Sequence, residues 1–125
     1  MRRTTRNRIK PEDQFAMQLQ AASIHYEREY RFHPTRRWRS DFYIPVYLSG
    51  QRGIIVEIEG GAFIGGRHTR GRGFSNDCIK YNEIALRGYI LLRGTPEHVR
   101  SGALLKDVER ALTFTFVSGE YDDGR

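Results

Sequence analysis

The chain has 125 residues, 21 Lys+Arg against 15 Asp+Glu and a formal charge of +6, and only three of its basic residues are lysine. That length makes one domain with a core that needs no staples, while the single cysteine, Cys78, excludes an internal disulfide and a cysteine-rich zinc site. No apolar run approaches the roughly 18 residues of a spanning helix, so no membrane partner is expected. Arginine dominance points to a polyanion read by bidentate phosphate recognition. A basic protein without such a partner stays open, since net charge alone says little about function.

Residues 1–10 hold five basic side chains and almost nothing apolar. They read as a basic flexible arm with neither signal peptide nor anchor, in a protein that stays in a reducing compartment where it is made. A helix begins at Pro11, with Glu12 and Asp13 in its first turn where the dipole favours them, and ends near Ser23. Its apolar stripe is Phe15, Leu19 and Ala22, and Glu12 lies on or beside that face. Glu12 either brings a carboxylate to a site or only stabilises the dipole.

Tyr26 to His33 reads as a strand, turned by Pro34 and Thr35 into the stretch RRWRSDFYIPVYLSGQRGIIVEIEGG. There Trp38, Ser40, Phe42 and Ile44 alternate with Arg37, Arg39, Asp41 and Tyr43, which puts Asp41 on the face carrying arginines. In the next strand Ile54, Val56 and Ile58 alternate with Ile55, Glu57 and Glu59. So many β-branched aliphatics mark a buried strand, where carboxylates cost several kcal/mol unless a counter-charge meets them. That cost suggests a cation. Trp38 is core or a base-stacking surface; Arg36 and Arg37 suit phosphate contact, and Arg39 suits ion pairing.

The glycine-rich segment 60–73 carries Arg67, His68, Arg70 and Arg72 directly beyond those carboxylates. It is either a phosphate cradle, favoured by its concentrated charge, or a plain connection. Ser75 or Asn76 caps the next helix, with the stripe Phe74, Cys78, Tyr81 and Ala85, and Gly88 beyond its end. Cys78 is then a small core residue. Lys80 is either solvated or aimed along the sheet toward the carboxylates. Tyr89 to Arg93 forms a buried strand reached by a parallel crossover. Thr95 caps and Pro96 opens a last helix to about Leu112, the segment 112–117 alternates like an edge strand, and 118–125 reads as a flexible tail. Leu112, Phe114 and Phe116 either fold back on the core or offer a homodimer seam. The expected fold is α/β, a single domain over residues 11–117 in the order αβββαβα.

An Asp on one strand followed by Glu-x-Glu on the next, within this order, resembles the PD-(D/E)xK nuclease superfamily, whose core is restriction-endonuclease-like αβββαβ with a mixed sheet flanked by helices. The stretches RRWRSDF, VEIEGG, GGRHTRGRGF, DCIKYN and LLRG further resemble small phage and prophage endonucleases of that superfamily, Holliday-junction-resolvase-like or very-short-patch-repair-like. The resemblance implies Asp41, Glu57 and the main-chain carbonyl of Ile58 as ligands of Mg²⁺, with Mn²⁺ able to substitute, and the helix reading adds Glu12 as a further metal-site carboxylate. Glu59 stands where the motif has its lysine, and Ser40 where a proline is common. Lys80, or His68 with the loop arginines, would then replace the missing cation. The implied function is a metal-dependent DNA endonuclease, selective for branched or mismatched DNA, in a bacterial cytoplasm. The alternative is a non-catalytic nucleic-acid-binding protein on a degenerate nuclease fold.

Overall fold

A computed structural model describes residues 8–46, 52–60 and 72–123, with side chains over 73–113 in the last stretch. In chain order the elements are α1 (Pro11–Ala21), β1 (Glu27–Tyr30), β2 (Ser40–Ile44), β3 (Ile54–Ile58), α2 (Arg72–Leu86), β4 (Ile90–Gly94), α3 (Pro96–Ser101) and α4 (Ala103–Asp123). The strands form one mixed four-stranded sheet in the order β1-β2-β3-β4. β2 pairs antiparallel with β1 and β3, and β4 lies parallel to β3, as a strand reached through a helix must.

The pleat sorts the sheet into two faces. Phe42 and Ile44 of β2 and Ile54 and Val56 of β3 pack with Phe15 and Leu19 of α1, Val99 of α3, and Leu104 and Val108 of α4. On the opposite face Ile55 and Tyr89 pack with Phe32 and with Ile84 of α2, joined by Tyr43, Tyr81 and Leu91. β3 is therefore buried on both sides, as its aliphatic run predicts. A side chain at Gly94 would bring its Cβ to 3.0 Å from Leu104 Cδ2, so glycine there lets α4 close on the sheet.

Four elements depart from the sequence reading. β1 stops at Tyr30 because a local turn takes over: His33 Nδ1 accepts the backbone N–H of Thr35 at 3.2 Å and of Arg36 at 3.0 Å. α2 starts at Arg72, so Ser75, Asn76 and Asp77 lie inside it, exposed. Its inward face is also rotated from the expected stripe: Ile84 is buried and Lys80 and Tyr81 half-buried, whereas Phe74, Cys78 and Ala85 are exposed. Polar partners on the sheet select this face, and Cys78 is not a core residue. Thr95 caps α3 as expected, its Oγ1 accepting His98 N–H at 3.3 Å, but Gly102 at φ +86 ends the helix and α4 starts afresh.

Residues 112–117 are helical, not an edge strand, and the backbone stays helical through Asp123. Leu104, Val108 and Leu112 follow one another at i, i+4 against the core. That packing outweighs the period-two alternation of 112–117, which favours a strand only locally. The side chains of Phe114 and Phe116 lie outside the described residues.

Candidate active site

Phe42 pairs with Val56 across the antiparallel ladder, and one step further that register sets Asp41 opposite Glu57. Glu57 in turn pairs with Arg93 across the parallel ladder. The three side chains thus stand in a row on the face covered by α2. α2 is held over the row by His33, whose Nε2 lies 3.3 Å from Glu83 Oε1. His33 Nδ1 accepts two backbone N–H groups, and its Nε2 also lies 3.1 Å from Arg87 Nη2, so the ring is wedged between the turn and α2. α2 thereby delivers Lys80 and Tyr81.

Glu57 is 7% exposed, and Lys80 Nζ stands 3.0 Å from its Oε2. Despite that ion-pair distance, Oε2 receives no directed hydrogen bond. The ammonium's firm bond goes instead to the Arg39 carbonyl at 3.0 Å. Burial pushes the Glu57 carboxyl up to about 7; Lys80 opposes this, and Asp41 and Glu59 add to it. Asp41 Oδ2 accepts the Ile58 N–H at 2.7 Å. Burial raises its pKa too, with Ile58 N–H and Lys80 pulling down and Glu12 and Glu29 pushing up. Glu12 is therefore close enough to be felt by Asp41. Both carboxyls are raised by burial, Glu57 also by Asp41 and Glu59, and with the adjacent Ile58 main chain they offer oxygen donors to a cation beside the Lys80 ammonium. Among the described residues no group of three or more His, Cys, Asp and Glu side chains converges into a metal cage.

Glu59 is engaged elsewhere. The Tyr81 hydroxyl donates to its Oε2, as does Arg93 Nε at 3.1 Å, and the Arg93 guanidinium lies over the Tyr81 ring at 4.3 Å. Burial and the neighbouring Glu59 raise the Tyr81 pKa, so the phenol keeps its proton and remains a donor. Of the other residues singled out in the sequence, Arg36 stacks on Trp38 at 4.1 Å. Arg39 pairs loosely with Glu29 at 3.6 Å, and Arg37 is exposed. Trp38 is half-buried and stacks on Phe32. Arg67, His68 and Arg70 lie outside the described residues, as does the side chain of Arg72.

Sequence reasoning did not assign Arg93. Its signal was a lone arginine closing an apolar strand, but its place beside Glu57 depends on a parallel register that no local pattern encodes. Comparison of the chain with protein-family models, with curated proteins and with solved structures gives no match.

Proposed function

We propose that the chain is a metal-dependent endonuclease that hydrolyses phosphodiester bonds in DNA, selective for branched or mismatched structures as the resemblance implies. The observation that carries this reading is the Asp41–Glu57–Lys80 cluster, with the lysine 3.0 Å from a buried carboxylate oxygen. Hydrolysing a phosphodiester needs an activated water and compensation of charge building on the phosphate and leaving oxygen. Asp41, Glu57 and the Ile58 carbonyl would hold Mg²⁺ or Mn²⁺, with Glu12 adding negative charge nearby. Such an ion supplies a more acidic water and neutralises phosphate charge.

Lys80 supplies what Glu59 cannot. Its ammonium reaches Glu57 from α2, the helix that also contacts Glu59 where the motif has its lysine, and is fixed by the Arg39 carbonyl. There it orients the attacking water or meets a non-bridging phosphate oxygen. Glu59, bound by Tyr81 and Arg93, is not free to act as base. The segment 60–73 adds arginines for the DNA backbone.

A second reading, a nucleic-acid-binding protein without turnover, is favoured by the sparse ligand set among the described residues. Incubation with branched, mismatched, single-stranded and plain duplex DNA in Mg²⁺, Mn²⁺ and EDTA separates the two. Divalent-dependent nicks that vanish in Lys80→Gln support the enzyme. Binding without nicks in either metal supports the second reading.

A further inference from the structure

Arg93 is held more firmly than half-exposed surface arginines usually are. Its Nε donates to Glu59 Oε2 at 3.1 Å, its guanidinium plane rests on the Tyr81 ring, and Tyr81 ties down the same Glu59 oxygen. Glu59 itself is anchored through its backbone N–H to the Gly94 carbonyl at 2.7 Å. The arginine side chain is nevertheless 50% exposed. A surface ion pair of that kind contributes little to stability, yet three groups serve to aim one side chain. Nε is spent on Glu59 and the guanidinium is held against Tyr81, yet the side chain stays half exposed, open to a further anion. In the parallel register Arg93 is the partner of Glu57, and paired residues on adjacent strands lie about 4.8 Å apart and face the same side.

We propose that Arg93 binds a backbone phosphate of the nucleic acid beside the one over Asp41 and Glu57, and that Glu59 and Tyr81 are the positioning residues that aim it. This rests on the nucleic-acid reading of the site and deepens it. It also gives Glu59, which stands in the lysine's place, a definite task. The clamp fixes the guanidinium orientation in advance, so binding a phosphate with the two amines loses little side-chain freedom. A lysine at 93 would keep the charge but could not bond Glu59, stack on Tyr81 and fork a phosphate together.

The test uses the full chain and a fluorescently labelled branched DNA, with anisotropy measured in EDTA from 50 to 200 mM salt, beside thermal melting and cleavage in Mg²⁺. Arg93→Gln is expected to weaken binding and to flatten the salt dependence by about 0.9, one phosphate's share. Arg93→Lys should rescue little of the affinity. Glu59→Gln and Tyr81→Phe should weaken binding in the wild-type background and change nothing further in Arg93→Gln. Wild-type affinity and slope in Arg93→Gln overturn the proposal, as does full rescue by Arg93→Lys, which signals charge without geometry. A lowered melting temperature with unchanged binding assigns the clamp to structure alone and likewise overturns it. Failure of the wild type to bind any of the DNA forms sinks the nucleic-acid reading itself, a result distinct from all of these.

Discussion

Among the carboxyls of the site, Glu57 is the one that the fold shifts far from its ordinary range. An ordinary glutamate titrates at 4.5, and here burial lifts the value to about 7. Between those values the folded chain binds more protons than the unfolded one, so metal-free stability falls as pH rises. The contribution is complete below 4.5 and lost above about 7; at 1.36 kcal/mol per unit it amounts to about 3 kcal/mol. Melting in EDTA should therefore drop from pH 5 to pH 8, and Glu57→Gln, which resembles the protonated carboxyl, should remove much of that drop while abolishing cleavage. Asp41→Asn should likewise abolish cleavage and leave the fold intact, because an amide oxygen can still accept the Ile58 N–H. An unchanged pH profile in Glu57→Gln, or full turnover in either variant, contradicts the site. Lys80→Met separates charge from packing. Removing one partner of a buried pair costs about 3–5 kcal/mol when the other stays ionised, but Glu57 can take a proton instead. The loss should be large at pH 8 and small at pH 5; equal losses at both would mean that the lysine stem, not its ammonium, matters.

The elements differ in how plainly the sequence announces them. α1 and α3 carry their start signals locally, Pro11 with acidic neighbours and Thr95 before Pro96, and both begin where those signals say. β3 was legible in its aliphatic run around Glu57, whereas β2 was legible only from Ser40 on, because residues 37–39, read as its first half, lie outside the strand. The failures were tertiary. α2's inward face is chosen by Glu57 and Glu59 on the sheet, which no helical period can reveal, so Lys80 was legible only as one of two options and Tyr81 was taken for plain core. α4 overrides a strand-like segment because Leu104 and Val108 already commit the helix to the core. The cap at Thr95 gives this level its own prediction: Thr95→Ala should cost about 1 kcal/mol through the lost acceptor for His98 N–H. Because α3 abuts α1 through Gln18 Nε2 donating to the Val99 carbonyl at 2.9 Å, the loss should appear in global unfolding by denaturant. Local fraying seen only by hydrogen exchange, with an unchanged midpoint, would show that α3 opens independently of the core.

At the scale of the whole molecule the proposed function asks how a chain with net charge +6 would meet a polyanion. No helix among the described residues is long and apolar enough to cross a membrane. The row Asp41–Glu57 is itself acidic, so on the proposed reading DNA would be drawn in by charge placed elsewhere, and residues 1–10 alone hold five basic side chains. If phosphate neutralisation drives association, log K should fall linearly with log salt at roughly −0.9 per phosphate on duplex. Deleting residues 1–8 should make that slope shallower by several phosphates' worth and weaken all DNA forms alike, because phosphate contacts carry no direct sequence information. Discrimination between branched and plain duplex should survive, since by this account it resides in the folded domain that presents the row and Arg93. The measurement is a salt titration of intact and shortened chains on both DNA forms. Loss of the branched-DNA preference on deletion would show that the arm reads shape, and the domain would then be left with cleavage alone.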